Sequence, residues 1–283
     1  MTAMPQLAPE SVAAGWEAKL ELGFASTGPR TVPARRWHRG PLAVQKPFYP
    51  EGSPCHMYLL HPPGGLVGGD HLSIDVNVDP GAHALLTTPA STKFYRSAGP
   101  AATQVQHLRV AAGGVLEWLP QDTILFDGCR AELETRVELE PKATFIGWDV
   151  LCLGRPASGD TYAGGRCRQR LELWRGGEPL LLERTALDGG EDILGEPWGM
   201  GGRTVIATLV ATSADRSALD AVRADVTVGD GALFSATLMD DLLVCRYQGH
   251  QAQAALHCFE TAWRAIRPRL LDRPASPPRI WRT

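Results

Sequence analysis

The feature that most limits what this chain can fold into is an alternation of apolar and polar side chains with a period of two. Trp16, Ala18, Leu20, Leu22 and Phe24 fall on one side, and Glu17, Lys19 and Glu21 on the other, the pattern of a strand buried on one face. The same period returns in Leu72, Ile74, Val76 and Val78. It appears again in Ala131, Leu133, Thr135, Val137 and Leu139, set against Glu132, Glu134, Arg136 and Glu138. Comparable turns occur at Asp79-Pro80-Gly81-Ala82, Ala112-Gly113-Gly114-Val115 and Glu140-Pro141-Lys142-Ala143, and each leads at once into another apolar stretch, as a hairpin requires. The turns recur roughly every 30 residues, and a unit of that size needs a neighbour to cover its apolar face. The expected fold is therefore mainly β, with stacked antiparallel hairpins in a β-helix-like arrangement. Further short strands are expected over 144–153, 171–174, 180–184 and 204–212.

Helical spacing appears only late. Ala218, Leu219 and Val222 form a stripe within 215–224, and Ala255, Leu256, Phe259, Trp263 and Ile266 form one within 251–266. Pro268 is expected to stop the second helix after Arg267, because proline lacks the amide donor and crowds the preceding turn; residues 274–278 should be extended. With no Ser/Gly linker, residues 16–283 read as one domain, β-rich to about residue 212 with a small C-terminal helical, α/β portion. Residues 1–15, rich in Ala and Pro without a basic and then apolar run, read as a flexible leader and not an export signal.

Composition narrows the function classes. The chain has 283 residues, is 44% hydrophobic and 21% charged, and carries a net charge of -3, as expected of a soluble chain with a sizeable core. It lacks the basic excess of a general nucleic-acid or membrane-surface binder. No apolar run approaches the roughly 20 residues that span a bilayer. The six cysteines lie at least 13 residues apart and read as reduced, buried thiols of a cytoplasmic protein.

Motifs for chemistry are sparse. The run His61-Pro62-Pro63-Gly64-Gly65-Leu66-Val67-Gly68-Gly69-Asp70 is glycine-rich, but no Gly-Lys-Ser/Thr ending follows, and strands flank it where a phosphate loop needs a helix. A tight loop joining strands is the simpler reading. Asp70 either caps local amides or faces a polar cavity. Asp149 sits inside Phe145-Ile146-Gly147-Trp148-Asp149-Val150-Leu151-Cys152-Leu153, where an unpaired charge is costly; Arg155 is its candidate partner in sequence. Glu183 poses the same question, since alternation puts it on the side of Leu181. There is no Cys-x-x-Cys, His-Glu-x-x-His or Gly-x-Ser-x-Gly spacing. His250 and His257 are too far apart along a helix to share an ion, whereas His56, His61 and His71 bracket the glycine loop and could converge. The segment from Thr87 to Ser97 places hydroxyls beside Lys93 and Arg96, suited to an anion or, with Tyr95 and Arg96 as anchors, to a docking surface.

Taken together, the loop His61 to Asp70, the segments 88–97, 117–122 and 148–155, and the C-terminal Pro278 to Trp281 resemble the urease accessory protein UreD family, also called UreH, over Trp16 to Thr283. The resemblance implies a non-enzymatic maturation factor with a β-helix-like stack. It would dock on urease apoprotein and, with UreF and, through UreF, the GTPase UreG, promote nickel insertion. It also implies an internal water-filled tunnel, with Asp70, Asp149 and Glu183 as stations for nickel(II) in transit, and no tightly bound cofactor. Lys93, Tyr95 and Arg96 are then partner-binding candidates. Such a relay must hold a cation weakly at each station, for which sparse carboxylates and water serve better than a closed Cys/His cage. The alternative is a pure scaffold that opens urease and recruits UreF without conducting nickel.

Overall fold

A computed structural model describes residues 15–282; the leader over 1–14 lies outside the described residues. The chain begins with an antiparallel pair, β1 (Glu17–Ser26) and β2 (Thr31–Arg39), followed by the short β3 (Ala43–Val44). It then winds through four coils. The first holds β4 (Cys55–Leu60), the glycine loop and β5 (His71–Val78); the second β6 (His83–Thr87), β7 (Thr92–Phe94) and β8 (Ala102–Val110). The third holds β9 (Val115–Trp118), β10 (Thr123–Leu125) and β11 (Arg130–Leu139), and the fourth β12 (Thr144–Leu153) and β13 (Arg166–Arg175). After the coils come β14 (Glu178–Asp188), a helical turn α1 (Asp192–Gly195), β15 (Val205–Ala211), α2 (Arg216–Asp225), β16 (Leu233–Met239), β17 (Leu242–Gly249) and α3 (Ala252–Leu271).

The result is a mainly β, solenoid-like stack with a C-terminal helix. Inside the stack, strands pair side by side in parallel, where the sequence suggested antiparallel hairpins. One sheet runs β14-β13-β11-β8-β5-β1-β2, parallel from β13 to β1 and antiparallel at both edges. The other runs β16-β17-β15-β12-β9-β6-β4-β3, parallel from β12 to β4. The reason is the path through each turn. Asp79–Ala82 closes with Ala82 N donating to Asp79 O at 3.1 Å and Gly81 at φ 70°, and it hands the chain from β5 to β6 in the opposite sheet. Sheets stack about 10 Å apart, so a strand meets an in-sheet neighbour only after a full coil, and by then it runs parallel.

One core fills the space between the sheets, with Leu20, Leu22, Phe24, Val76, Leu108 and Val137 all buried. A second lies between the β12 sheet and the helices, with Leu209, Leu219, Phe259, Trp263 and Ile266. Strand β12 serves both, which explains its nearly unbroken apolar sequence. Asp215 caps α2 by accepting from Ala218 N at 2.9 Å. All six cysteines are free and buried, and burial pushes the Cys55 thiol up to about 11.

Helix α3 continues past Pro268 to Leu271, contrary to the expected stop at Arg267. A buried ion-pair network holds the last turn in place. The Arg267 guanidinium, wholly buried, donates to Glu51 Oε1 at 2.7 Å and through Nε to Glu117 Oε2 at 2.9 Å. Trp263 Nε1 and His83 Nε2 donate to the same Glu117 carboxylate at 2.6 and 2.7 Å, and His56 Nε2 to Glu51 at 2.6 Å. Arg269 also donates to Ala265 O at 2.5 Å, satisfying a carbonyl in the turn that the proline disturbs. Burial alone would raise the Glu117 carboxyl, but His83 and Arg267 outweigh it and hold it down at about 2. Replacing Glu117 by Gln strands a buried cation, so urea unfolding at neutral pH should show a loss of about 3–5 kcal/mol. Because the folded-state value is depressed, that stabilisation is complete above the ordinary carboxylate range and lost as pH falls toward 2. The gap between wild type and Glu117→Gln should therefore close on acidification.

Candidate functional site: an internal polar cavity

The inward positions of a stacked β-fold are normally apolar, and here a subset is not. On β8 the inward row reads Ala102, Gln104, Gln106, Leu108, Val110, placing two amides inside. Thr135 takes an inward place on β11 and donates to Gln106 Oε1 at 3.0 Å. Gln169 and Thr208 do the same from β13 and β15. These groups stand among apolar neighbours around a cavity of about 130 Å³ between the sheets, with lining residues from all four coils, roomy enough for several waters beside its polar groups.

Asp149 lies at the fourth-coil end. It is half-buried and lines this cavity. Its Oδ2 accepts from Gln169 Nε2. Burial pushes its carboxyl up to about 6, opposed by that hydrogen bond and reinforced by the negative charge of Glu183. Register explains the neighbourhood: Asp149 pairs with Thr208, and Thr208 with Arg246 of β17, so the three share one face. Glu183, on β14 opposite Leu171, reaches across from the other sheet and accepts from Arg246 at 2.5 Å. Its second oxygen, Oε2, is buried with no hydrogen-bond partner.

The structure thus brings Asp149 and Glu183 together and sets Asp70 apart. Asp70, buried in the first coil, accepts from Val67 N at 2.8 Å and Trp16 N at 3.3 Å; it caps the glycine loop. Arg155 is not the partner of Asp149, for it lies 3.6 Å from Asp160 and stacks on Phe126. The three histidines do not converge. His56 faces Glu51, His71 is exposed, and His61 alone lines the cavity, its Nε2 buried without a hydrogen-bond partner and its basicity lowered by burial. Lys93 lines the cavity from β7. Tyr95 packs on Phe126 at 4.9 Å and closely over Gly65, whereas Arg96 is exposed and paired with Asp127 at 2.9 Å. Among the described residues no three His, Cys, Asp or Glu side chains are grouped for a metal ion.

Gln104, Gln106, Gln169 and Thr208 were not among the residues singled out from sequence. For Gln104 and Gln106 a signal existed, because they share the phase of Leu108 and Val110. Chemically the cavity offers neutral amide and hydroxyl oxygens and one carboxylate, Asp149, with the free oxygen of Glu183 outside its lining. Such a set suits weak, hard-donor contact with a divalent cation and not a tight cage.

The family model for the UreD urease accessory protein matches residues 16–282. The chain belongs to the UreD family. It is 46% identical to the urease accessory protein UreD of Pseudomonas putida (strain W619) over 95% of each chain. It is 43% identical to UreD of Citrobacter koseri over 99% of this chain and 96% of that one, and 44% identical to UreD of Pseudomonas entomophila over the full length of both. UreD membership gives the chain a role in urease maturation, and the solenoid-like β-fold agrees with what the resemblance implied. Among the described residues no helix is long and apolar enough to cross a membrane.

The raised value of Asp149 has a testable sign. A carboxyl titrating near 6 in the folded state and near 3.8 unfolded takes up its proton more readily when folded, so its effect on stability worsens as pH rises between these values and stays constant above them. Thermal melts from pH 4 to 7 should show Asp149→Asn gaining on wild type across this window. The ceiling is about 3 kcal/mol, reduced in practice by cavity water.

Proposed function

We propose that this UreD-family chain is a non-enzymatic cytoplasmic maturation factor that binds urease apoprotein and, with UreF and UreG, promotes nickel insertion by conducting nickel(II) through its internal cavity. The observation that carries this reading is a cavity to which every coil contributes, with Asp149 in its lining and Glu183 near enough for its charge to act on Asp149. A cation passing Asp149 competes with a proton, and near neutral pH the carboxylate is mostly ionised. Gln169 and Thr208 add neutral oxygens, and the lone Oε2 of Glu183 offers the next contact. None of these groups encloses the ion, so each step is reversible, as transit requires. Asp70 enters this reading only as the acid that shapes the glycine loop. Nickel is cargo here, and no resident cofactor is needed.

The scaffold alternative has its own support in the Arg246–Glu183 pair, which already engages one of the two carboxylates. Both readings are separated by Asp149→Ala and Glu183→Ala in a host carrying the urease subunits and the other accessory proteins. Conduction predicts urease activity and bound nickel down by about tenfold or more, with the assembly intact by size-exclusion chromatography. Full activity in both variants would refute conduction and leave the scaffold. Loss of the assembly would mark the acids as structural.

A further inference from the structure

The solenoid ends in a cationic strand that, among the described residues, pairs on one side only. From Leu22 to Pro50 the chain has no acidic residue but contains Arg30, Arg35, Arg36, Arg39 and Lys46, in a protein of net charge -3. Strand β2 carries the centre of this run at the free edge of its sheet, where it pairs with β1 and, among the described residues, with no other strand. A register shift opposite Gly23 and Phe24, with Pro33 beside it, divides the strand. The half from Ala34 onward is exposed on both faces. Arg36 and His38 lie opposite Leu22 and Leu20, which are wholly buried, yet they are themselves exposed. Neither has an ion-pair partner among the described residues, whereas Arg35 on the other face is held by Glu21. Trp37 between them is 43% exposed.

From these features we infer that β2 is a docking strand for an extended acidic segment of a partner protein, which adds to the sheet as its next strand. The free edge supplies backbone donors and acceptors in line, and at strand spacing Arg36 supplies charge and His38 a ring nitrogen for hydrogen bonding. Trp37 and arginine are the side chains that most often anchor protein interfaces. Charges on edge strands commonly guard against pairing between copies. The same like charge that repels a second copy attracts an acidic strand. The chain's own residues 1–14 contain a single acid, Glu10, and so do not supply the complement.

The test is fluorescence anisotropy on the full chain, using a labelled decapeptide that alternates Glu and Val. The comparison probes are the Lys/Val peptide, the Glu/Val peptide fully N-methylated, a short DNA duplex, and vesicles of phosphatidylglycerol. The Glu/Val peptide should bind. Arg36→Glu with His38→Glu should weaken it by about tenfold or more, as should N-methylation, which removes strand pairing but keeps the charge. Arg36→Ala with His38→Ala, checked for a wild-type circular dichroism spectrum, should lie between. The inference is overturned if the acidic peptide does not bind, if neither double variant alters its binding, or if the N-methylated peptide binds equally well. Tighter binding of DNA or vesicles would overturn it too, in favour of a phosphate-bearing partner.

Discussion

Everything in this molecule depends on the rule that parallel strands cannot be joined by a tight turn. A strand that leaves one sheet through Asp79–Ala82 must cross to the other sheet and return before it can pair beside its predecessor. The coil is the shortest solution, and stacking coils buries the apolar row of each against the next. At the ends of the parallel ladders antiparallel strands take over: β2 at one end, β14 and the β15–β17 group at the other. The helices then cover the outer face of the second sheet, and the Arg267 network fastens α3 to residues of the first three coils, far away in sequence.

Within that frame the cavity is a consequence of substituting a few inward positions. Amides and hydroxyls at Gln104, Gln106, Thr135 and Gln169 take places where leucine or valine would close the core. Thr135 bonds Gln106 and Gln169 bonds Asp149, so the polar groups of the interior find partners beside the cavity. The contrast between the two buried acids is instructive. Glu117 receives an arginine, a histidine and an indole and is held ionised, whereas Asp149 receives one amide and faces another carboxylate. The first fastens the fold, and the second holds its proton more readily than an ordinary carboxyl.

Much of the fold was legible in residue order. The period of two located β1, β5 and β11, the unbroken apolar run located β12, and the stripes of α2 and α3 were visible at helical spacing. Short strands such as β3, β7 and β10 were not, because two or three residues carry no period. The pairing direction was also hidden, since a Pro-Gly turn looks the same whether it closes a hairpin or hands the chain to another sheet. Pro268 misled because its local cost is offset by a side chain, Arg267, whose carboxylate partners lie more than a hundred residues away.

For the site, sequence alone determined that Asp149 lies within an apolar strand and that Glu183 shares the side of Leu181, since alternation is a property of the backbone and needs no partner. Only the tertiary structure decided that these two acids meet, that Asp70 caps a loop, and that Arg155 serves Asp160. Distance in sequence says nothing about which coil lies over which. Register between strands does, and it is set jointly by turn length, by the core that fills the space between the sheets, and by the row of hydrogen bonds each coil inherits from the one before.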